Sequence, residues 1–270
     1  MNIFLNGIIE LFLKITEMHK LFIFHSLALF FPFSLPMKPY QNIAIAECGE
    51  PLVAIASNII TIDPHPYMSL GAPYGDRSPF WVRQSILERL QKSQAYLQTI
   101  RPNYQIAIFD AYRPIPVQQF MVDYSFAEFA ESRGLEVNSL SEEQKNSLMA
   151  EVMKFWAIPS HDPKMPPPHS TGAAIDVTLY RVPAKGGDSI QEINMGSPID
   201  EISDRSLPNY FANSIDSLEM EFHCDRKLLN EVMNHSGFVR HPNEWWHFSY
   251  GDQLWAWISN EKAAIYGGVR

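Results

Sequence analysis

Residues 167–178 read PPHSTGAAIDVT, and this stretch decides how the fold is interpreted. It places His169 directly after prolines and a lone aspartate, Asp176, inside an apolar run that is typical of a strand. Side chains alternate between the two faces of a straight strand, so residues seven positions apart would point in opposite directions. A bend at Gly172 removes that restriction, and the sequence therefore allows His169 and Asp176 to converge on one point.

Asp176 is flanked by Ile175 and Val177, so its carboxylate is predicted to lie near the core. A buried carboxylate costs free energy unless a cation or a metal ion pairs with it. Two interpretations stay open from this stretch alone: a salt bridge to an arginine, and a ligand of a metal ion.

A second segment, EWWH at residues 244–247, favours the metal ion because a carboxylate and an imidazole lie three positions apart among large aromatics. Catalytic zinc has three protein ligands and leaves a fourth position to water. His169, Asp176 and His247 would supply such a set. Glu244 would then remain free beside the metal as a base, as in other zinc hydrolases. The two tryptophans are predicted to belong to the core or to a pocket wall.

The composition fits an ordinary globular protein and argues against several other classes. The chain has 270 residues, of which 46% are hydrophobic and 19% charged, enough for one large domain with a substantial core. The net charge of −9 argues against binding to nucleic acid. Cys48 and Cys224 form no C-x-x-C pair, which excludes a cysteine-built zinc site. They are predicted to be buried free thiols, with one bridge between them as the alternative.

The order of predicted elements is that of an α+β domain. Helices and strands are mixed without a regular βαβ rhythm, and no glycine-rich phosphate loop follows a strand. Strands are predicted at YQIAIF (104–109), GAAIDVTLYRV (172–182), GFVRH (237–241) and EWWHFSYG (244–251). Helices are predicted after an N-cap at Ser78, over 117–131, after a capping box at Ser139–Glu142, and from a cap at Asp225 to a stop at Gly237.

The end of the first long strand carries another candidate, in DAYRP at residues 110–114. Arg113, just past a strand terminus, can project into a cleft and contact a developing oxyanion. A surface ion pair is the alternative for this residue. Five histidines beside loop or cap residues are predicted to be exposed and without function: His65, His161, His223, His235 and His241.

The first 36 residues form a separate apolar extension, and the domain is predicted to span residues 37–270. Residues 21–36, LFIFHSLALFFPFSLP, fit a leader or a membrane anchor, although a histidine and two prolines interrupt the run. The alternative is a misassigned start, with translation beginning at Met37. A cytoplasmic location follows from a start at Met37, whereas export or contact with a membrane requires the extension.

Four motifs in this order resemble one family: DAYRP (110–114), HSTGAAIDVTL (169–179), MGSPID (195–200) and EWWHFSYGD (244–252). They are similar to the D-alanyl-D-alanine dipeptidases, zinc peptidases that include enzymes of vancomycin resistance. The resemblance spans roughly residues 48–257. It implies a single α+β domain with a central, largely antiparallel sheet flanked by helices, one zinc ion per chain, and a small dipeptide as substrate.

The resemblance also implies roles for individual residues. The zinc ligands of the family fall on His169, Asp176 and His247. Its catalytic base falls on Glu244, and the arginine that stabilises its transition state falls on Arg113.

The family also implies substrate contacts. Asp200 matches an aspartate that faces the ammonium group of the dipeptide, and Tyr67 matches a tyrosine of the substrate pocket. Pro167 departs from the family, because some members carry a serine there that helps to hold substrate. Two other functions remain open: a D,D-carboxypeptidase or endopeptidase acting on peptidoglycan stem peptides, and a zinc-stabilised binding module without turnover.

Overall fold

The computed structural model describes residues 37–183 and 189–269. The predicted extension at residues 1–36 lies outside them. Among the described residues, no helix combines the length and the apolar character needed to cross a membrane.

Secondary structure is divided between short strands and a few long helices. The strands of the described residues are β1 (Ala44–Ile45), β2 (Leu52–Ala54), β3 (Ile60–Thr61), β4 (Trp81–Arg83), β5 (Tyr104–Asp110), β6 (Ala174–Arg181), β7 (Gln191–Glu192), β8 (Val239–Arg240), β9 (His247–Ser249) and β10 (Ala263–Ala264). The α-helices of the same residues are α1 (Pro66–Ser69), α2 (Gln84–Ile100), α3 (Ile115–Ser132), α4 (Glu142–Val152), α5 (Ser217–His235) and α6 (Gln253–Ile258).

The main sheet has the strand order β3-β5-β6-β9-β8, with β7 paired to the far end of β6. Only the β3–β5 pair is parallel among these described strands; the other pairs are antiparallel. Strand β6 occupies the centre, with both faces buried over Ala174–Leu179, as its nearly continuous apolar sequence requires. The expectation of an α+β domain built on a largely antiparallel sheet is confirmed.

One face of β6 supplies the hydrophobic core. Its odd-numbered residues from Ile175 to Leu179 join a cluster formed with β5 and with the apolar stripes of α2 and α5. Because side chains alternate along a strand, Asp176 points to the opposite face. The core therefore fixes the strand and leaves its other face free for polar residues.

The helix predicted after Ser78 begins later. Trp81–Arg83 pair with β2 as strand β4, so α2 starts at Gln84, and the Ser78 hydroxyl only closes a short turn with the Phe80 N–H at 3.1 Å. A sequence pattern on one segment cannot show that a distant strand competes for its backbone hydrogen bonds.

Two predicted caps are also displaced. The capping box of α4 joins Ser141 to Gln144, not Ser139 to Glu142. Helix α5 is capped by Asp216, whose carboxylate accepts from the Leu218 and Glu219 N–H groups.

Asp225, the predicted cap of that helix, lies within it, whereas the predicted stop at Gly237 is confirmed by its φ of 91°. Both cysteines are free, as predicted, but both are exposed rather than buried.

Candidate metal centre and active site

The two halves of the predicted metal site come together at one end of the sheet. Asp176 on β6 lies directly opposite His247 on β9, which places their side chains on the same face. His169 reaches them from the 3₁₀ turn Pro168–Thr171, and Gly172 then reverses the chain with a left-handed φ of 71°. The predicted bend is therefore present where the convergence requires it.

The three side chains are buried and close enough to share one ion. Nε2 of His169 lies 3.1 Å from Nδ1 of His247. The Asp176 carboxylate lies 3.1 Å from His247 Nδ1 through one oxygen and 3.2 Å from His169 Nε2 through the other. One ligand atom from each residue falls within 4.8 Å of the others.

Hydrogen bonds on the outer sides of the rings determine which nitrogens face the centre. Nδ1 of His169 lies 2.8 Å from the Ala111 carbonyl, which can only accept, so Nδ1 carries the proton. The Ser249 hydroxyl donates to Asp252 at 2.8 Å and lies 3.3 Å from Nε2 of His247, so it accepts the proton of that nitrogen.

Both inner nitrogens, Nε2 of His169 and Nδ1 of His247, therefore present lone pairs toward a carboxylate. Three converging acceptors need a cation among them, and this combination of imidazoles and a carboxylate suits zinc.

Arg113 lies beside the three candidate metal ligands, just after the end of β5. Its Nε and Nη2 donate to the Asp110 carboxylate at 2.9 and 2.8 Å, and Nη2 also lies 3.3 Å from Asp176. Nη1 donates to Gln118 at 3.0 Å. The two interpretations of Asp176 are thus compatible, because its carboxylate contacts both the imidazoles and an arginine. Burial alone would raise the pKa of Asp176, but its contacts with His169 and then with His247 hold it well below its ordinary value.

Glu244 lies between the ligand cluster and a further histidine. Its carboxylate oxygens are 3.7 Å from Nδ1 of His247 and 3.5 Å from Nδ1 of His241. Burial, followed by the negative charge of Asp176, raises the pKa of Glu244 well above its ordinary value. A carboxyl group with a raised pKa is suited to accept a proton and to return it during a reaction.

Tyr67 and Asp200 meet on the other side of Arg113. The Tyr67 hydroxyl donates to Asp200 at 2.6 Å and accepts from Arg113 Nη2 at 3.2 Å. Asp200 has a left-handed φ of 65°, and burial, followed by the charge of Asp176, raises its pKa to about 7. The structure thus brings all seven predicted site residues into one connected group.

A small cavity opens above these residues. Glu244, Arg113, Asp200 and the three candidate ligands line it, whereas Tyr67 is buried behind Arg113. A larger groove, lined in part by residues 41–52, includes none of the seven predicted site residues among its described walls. The smaller cavity is therefore the candidate substrate site.

Sequence reasoning missed the groups that hold Arg113 in place. Asp110 is fully buried and accepts from Tyr74 at 3.0 Å and from Nε2 of His65 at 3.1 Å. The prediction that His65 and His241 are exposed is wrong, because each has less than a tenth of its surface exposed. His241 lines the cavity, whereas His65 contacts Asp110 behind it. Asp110 at the end of a buried strand was a usable signal, but nothing near His65 in the sequence pointed to it.

A buried set of two imidazoles and one carboxylate, with a glutamate and an arginine alongside, is typical of zinc peptidases. The sequence profile of the peptidase M15 family, described as D-ala-D-ala dipeptidase, matches residues 60–264. The chain therefore belongs to this family of hydrolases.

Curated relatives agree with the family, and one solved structure is similar to this chain. A D-alanyl-D-alanine dipeptidase of Synechocystis is 47% identical over 250 residues, which cover 88% of this chain and 99% of the relative. A D-alanyl-D-alanine dipeptidase of Enterococcus faecium is 38% identical over 32% of this chain and 37% of its own length. A solved vancomycin-resistance D,D-pentapeptidase in complex with Zn(II) matches with a TM-score of 0.43 at 16% identity, over 83% of this chain and 92% of its own.

Proposed function

We propose that this chain is a zinc-dependent dipeptidase that hydrolyses D-alanyl-D-alanine to two molecules of D-alanine. The observation that carries the proposal is the convergence of two imidazole lone pairs and the Asp176 carboxylate beside a free Glu244. The name and near-complete coverage of the Synechocystis relative support the choice of substrate.

His169, Asp176 and His247 would hold the zinc ion. Bound there, zinc would lower the pKa of a water molecule and polarise the scissile carbonyl. Glu244 would accept the proton of the attacking water and return it to the leaving amine, a role typically worth ~10²–10⁴-fold in rate.

Arg113 would stabilise the developing negative charge on the carbonyl oxygen. Its guanidinium is fixed by Asp110 and Gln118, so it needs little reorganisation during the reaction. Removing one such donor typically costs ~10²–10³-fold in rate.

Asp200 would bind the ammonium group of the dipeptide, and Tyr67 would orient it. The hydrogen bond between them fixes one carboxylate oxygen and leaves the other available at the cavity. A substrate without a free ammonium would leave this acidic group unpaired, which disfavours N-acylated peptides. The catalytic domain would span residues 37–270, which contain the whole family match.

A panel of peptides tests the proposal. Zinc-loaded protein is given D-Ala-D-Ala, L-Ala-L-Ala and an N-acylated stem peptide that ends in D-Ala-D-Ala, with and without a chelator. We expect hydrolysis of the free D,D-dipeptide alone, its loss with chelator, and its recovery with zinc. Cleavage of the acylated peptide in preference to the free dipeptide would replace the proposal with a D,D-carboxypeptidase or endopeptidase. Zinc binding without any hydrolysis would indicate a binding module.

A further inference from the structure

A segment outside the family match reaches the candidate substrate cavity. Residues 39–42 form a 3₁₀ turn, and β1 follows it and pairs with β10. The side-chain amide of Gln253 donates to the Gln41 and Ile43 carbonyls at 3.3 and 2.6 Å, which fixes the turn against α6. This N-terminal arm, residues 37–45, is thus held in a defined place beside the site.

The arm places one cation in the cavity. Lys38 lines it together with Glu244, Arg113 and Trp156. Its Nζ donates to the Trp156 backbone carbonyl at 3.2 Å, so the acceptor that the described residues offer it is neutral. An ammonium group has three protons to donate, and two therefore remain for a ligand.

The other cation of the cavity is already paired. Arg113 contacts the Asp110 and Asp176 carboxylates, Gln118 and Tyr67. Lys38 differs because it lines the cavity and, among the described residues, forms no salt bridge with a carboxylate. The Glu244 carboxylate acts on it through space and favours its charged form, although burial opposes this more strongly and lowers the pKa of Lys38.

The charges of a free dipeptide match this arrangement. Such a substrate has an ammonium group at one end and a carboxylate at the other, with the scissile amide between them. Asp200 would take the ammonium end, on the Tyr67 side of Arg113. The carboxylate end would then lie on the Glu244 side of Arg113. It needs a cation there, because transfer of a carboxylate from water into the cavity without a partner would be costly.

We propose that Lys38 binds the C-terminal carboxylate of the dipeptide and makes the enzyme selective for substrates in which that carboxylate is free. The inference rests on the proposed dipeptidase function and names a specificity-determining residue of the same site. It predicts that the arm, although outside the matched region, is part of the substrate-binding surface.

The test compares D-Ala-D-Ala with its C-terminal amide, in the wild type and in Lys38→Met. Methionine keeps the length and the apolar stem of the side chain and removes only the charge. Lys154→Met is the matched control, because Lys154 pairs with Glu151 on the surface and does not line the cavity, so the variant makes the same charge change outside it. Thermal unfolding and zinc content are measured for each protein.

We expect Lys38→Met to lower kcat/KM for the dipeptide about 10- to 100-fold, mainly through KM, as for loss of a hydrogen bond to a charged group. The same variant should change kcat/KM for the amide little, and Lys154→Met should change neither. Lys38→Arg should recover most of the activity on the dipeptide. Equal losses on both substrates would overturn the proposal, since Lys38 would then act on Glu244. An unchanged KM for the dipeptide would overturn it as well.

Binding gives an independent readout. Calorimetry with zinc-loaded protein in a Glu244→Gln background measures the Kd of the dipeptide and of the amide without turnover. Lys38→Met should raise the Kd of the dipeptide about 10- to 100-fold and leave the Kd of the amide unchanged. If the wild type hydrolyses neither ligand, the dipeptidase function fails, and these Kd values still decide whether Lys38 recognises a carboxylate.

Discussion

Two buried arginines lie in contrasting surroundings. Arg113 contacts two carboxylates and lines the cavity. Arg226, on α5, donates to the Met195 and Leu207 carbonyls at 2.7 and 2.9 Å and to the Ser197 hydroxyl at 3.1 Å. The first belongs to a charged network, whereas the second is satisfied by neutral acceptors.

The electrostatic consequences are opposite. Burial would lower the pKa of both arginines, but Tyr67 and the nearby carboxylates raise that of Arg113 well above its ordinary value. For Arg226, burial and the neighbouring arginines lower the pKa to about 10. Burial of an arginine therefore does not identify a catalytic site; the charge that surrounds it does. Arg226 instead anchors the 195–207 loop, which carries Asp200.

The largest expected loss of activity is at Glu244, which lines the same cavity as Arg113. We expect Glu244→Gln to lower kcat ~10²–10⁴-fold, because the amide cannot accept the proton of the attacking water. Steady-state kinetics and zinc content by metal analysis check this. Turnover near the wild-type value with zinc retained would mean that another group is the base.

The two arginines can be compared directly by replacing each with lysine. Arg113→Lys should lower kcat about 10²-fold with a smaller change in KM, because the ammonium cannot reproduce the planar fork. Arg226→Lys should lower the free energy of unfolding by about 1–3 kcal/mol, since buried carbonyls lose donors, and leave kcat close to the wild type. Kinetics and denaturant unfolding of both variants are required. If Arg226→Lys also lowered kcat about 10²-fold, the distinction between a catalytic Arg113 and a structural Arg226 would be wrong.

Two glycines allow a second comparison, between the candidate metal site and the 195–207 loop that Arg226 anchors. Gly172 and Gly196 both have left-handed φ angles, 71° and 86°. A Cβ would overlap Leu52 at Gly172 and Phe211 at Gly196. We expect each alanine variant to lose about 2–4 kcal/mol of unfolding free energy.

Their functional effects should differ. Gly172→Ala should weaken zinc binding, because it displaces His169. Gly196→Ala should raise KM and keep zinc, because it displaces the loop that carries Asp200. Zinc titration and dipeptide kinetics on the two folded variants check this, and identical phenotypes would contradict the separation.

The smallest effect is expected at Ser249, which contacts the outer nitrogen of His247. Ser249→Ala removes the acceptor of the Nε2 proton, which fixes the tautomer that presents Nδ1 to the centre. Removing such a partner typically costs about 10- to 100-fold in metal affinity. Competition with a chromophoric chelator measures this. An unchanged affinity would show that the tautomer is set without Ser249.

The sequence allowed prediction of those site residues that lie in short motifs. His169 and Asp176 are joined by one bend, and Glu244 and His247 by one turn before a strand, so local pattern was enough to group them. The central strand was also predictable, because its apolar run is long and uninterrupted.

The remaining contacts depend on tertiary structure. His65 and Asp110 are 45 positions apart and meet only because the loop before α1 folds over the end of β5. Lys38 reaches Trp156 across 118 positions. Helix starts were displaced where a distant strand or a better-placed aspartate competed, as at Trp81–Arg83 and Asp216. Such competition cannot be read from one segment.

Anomalous diffraction at the zinc absorption edge, from crystals of the zinc-loaded protein, tests the metal centre most directly. A single strong peak should lie about 2.0–2.2 Å from Nε2 of His169, Nδ1 of His247 and an Asp176 oxygen, with Glu244 outside the coordination shell. A zinc ion coordinated instead by His241 and Glu244 would contradict the proposed site. The absence of a peak within coordination distance of His169, Asp176 and His247 would contradict it as well.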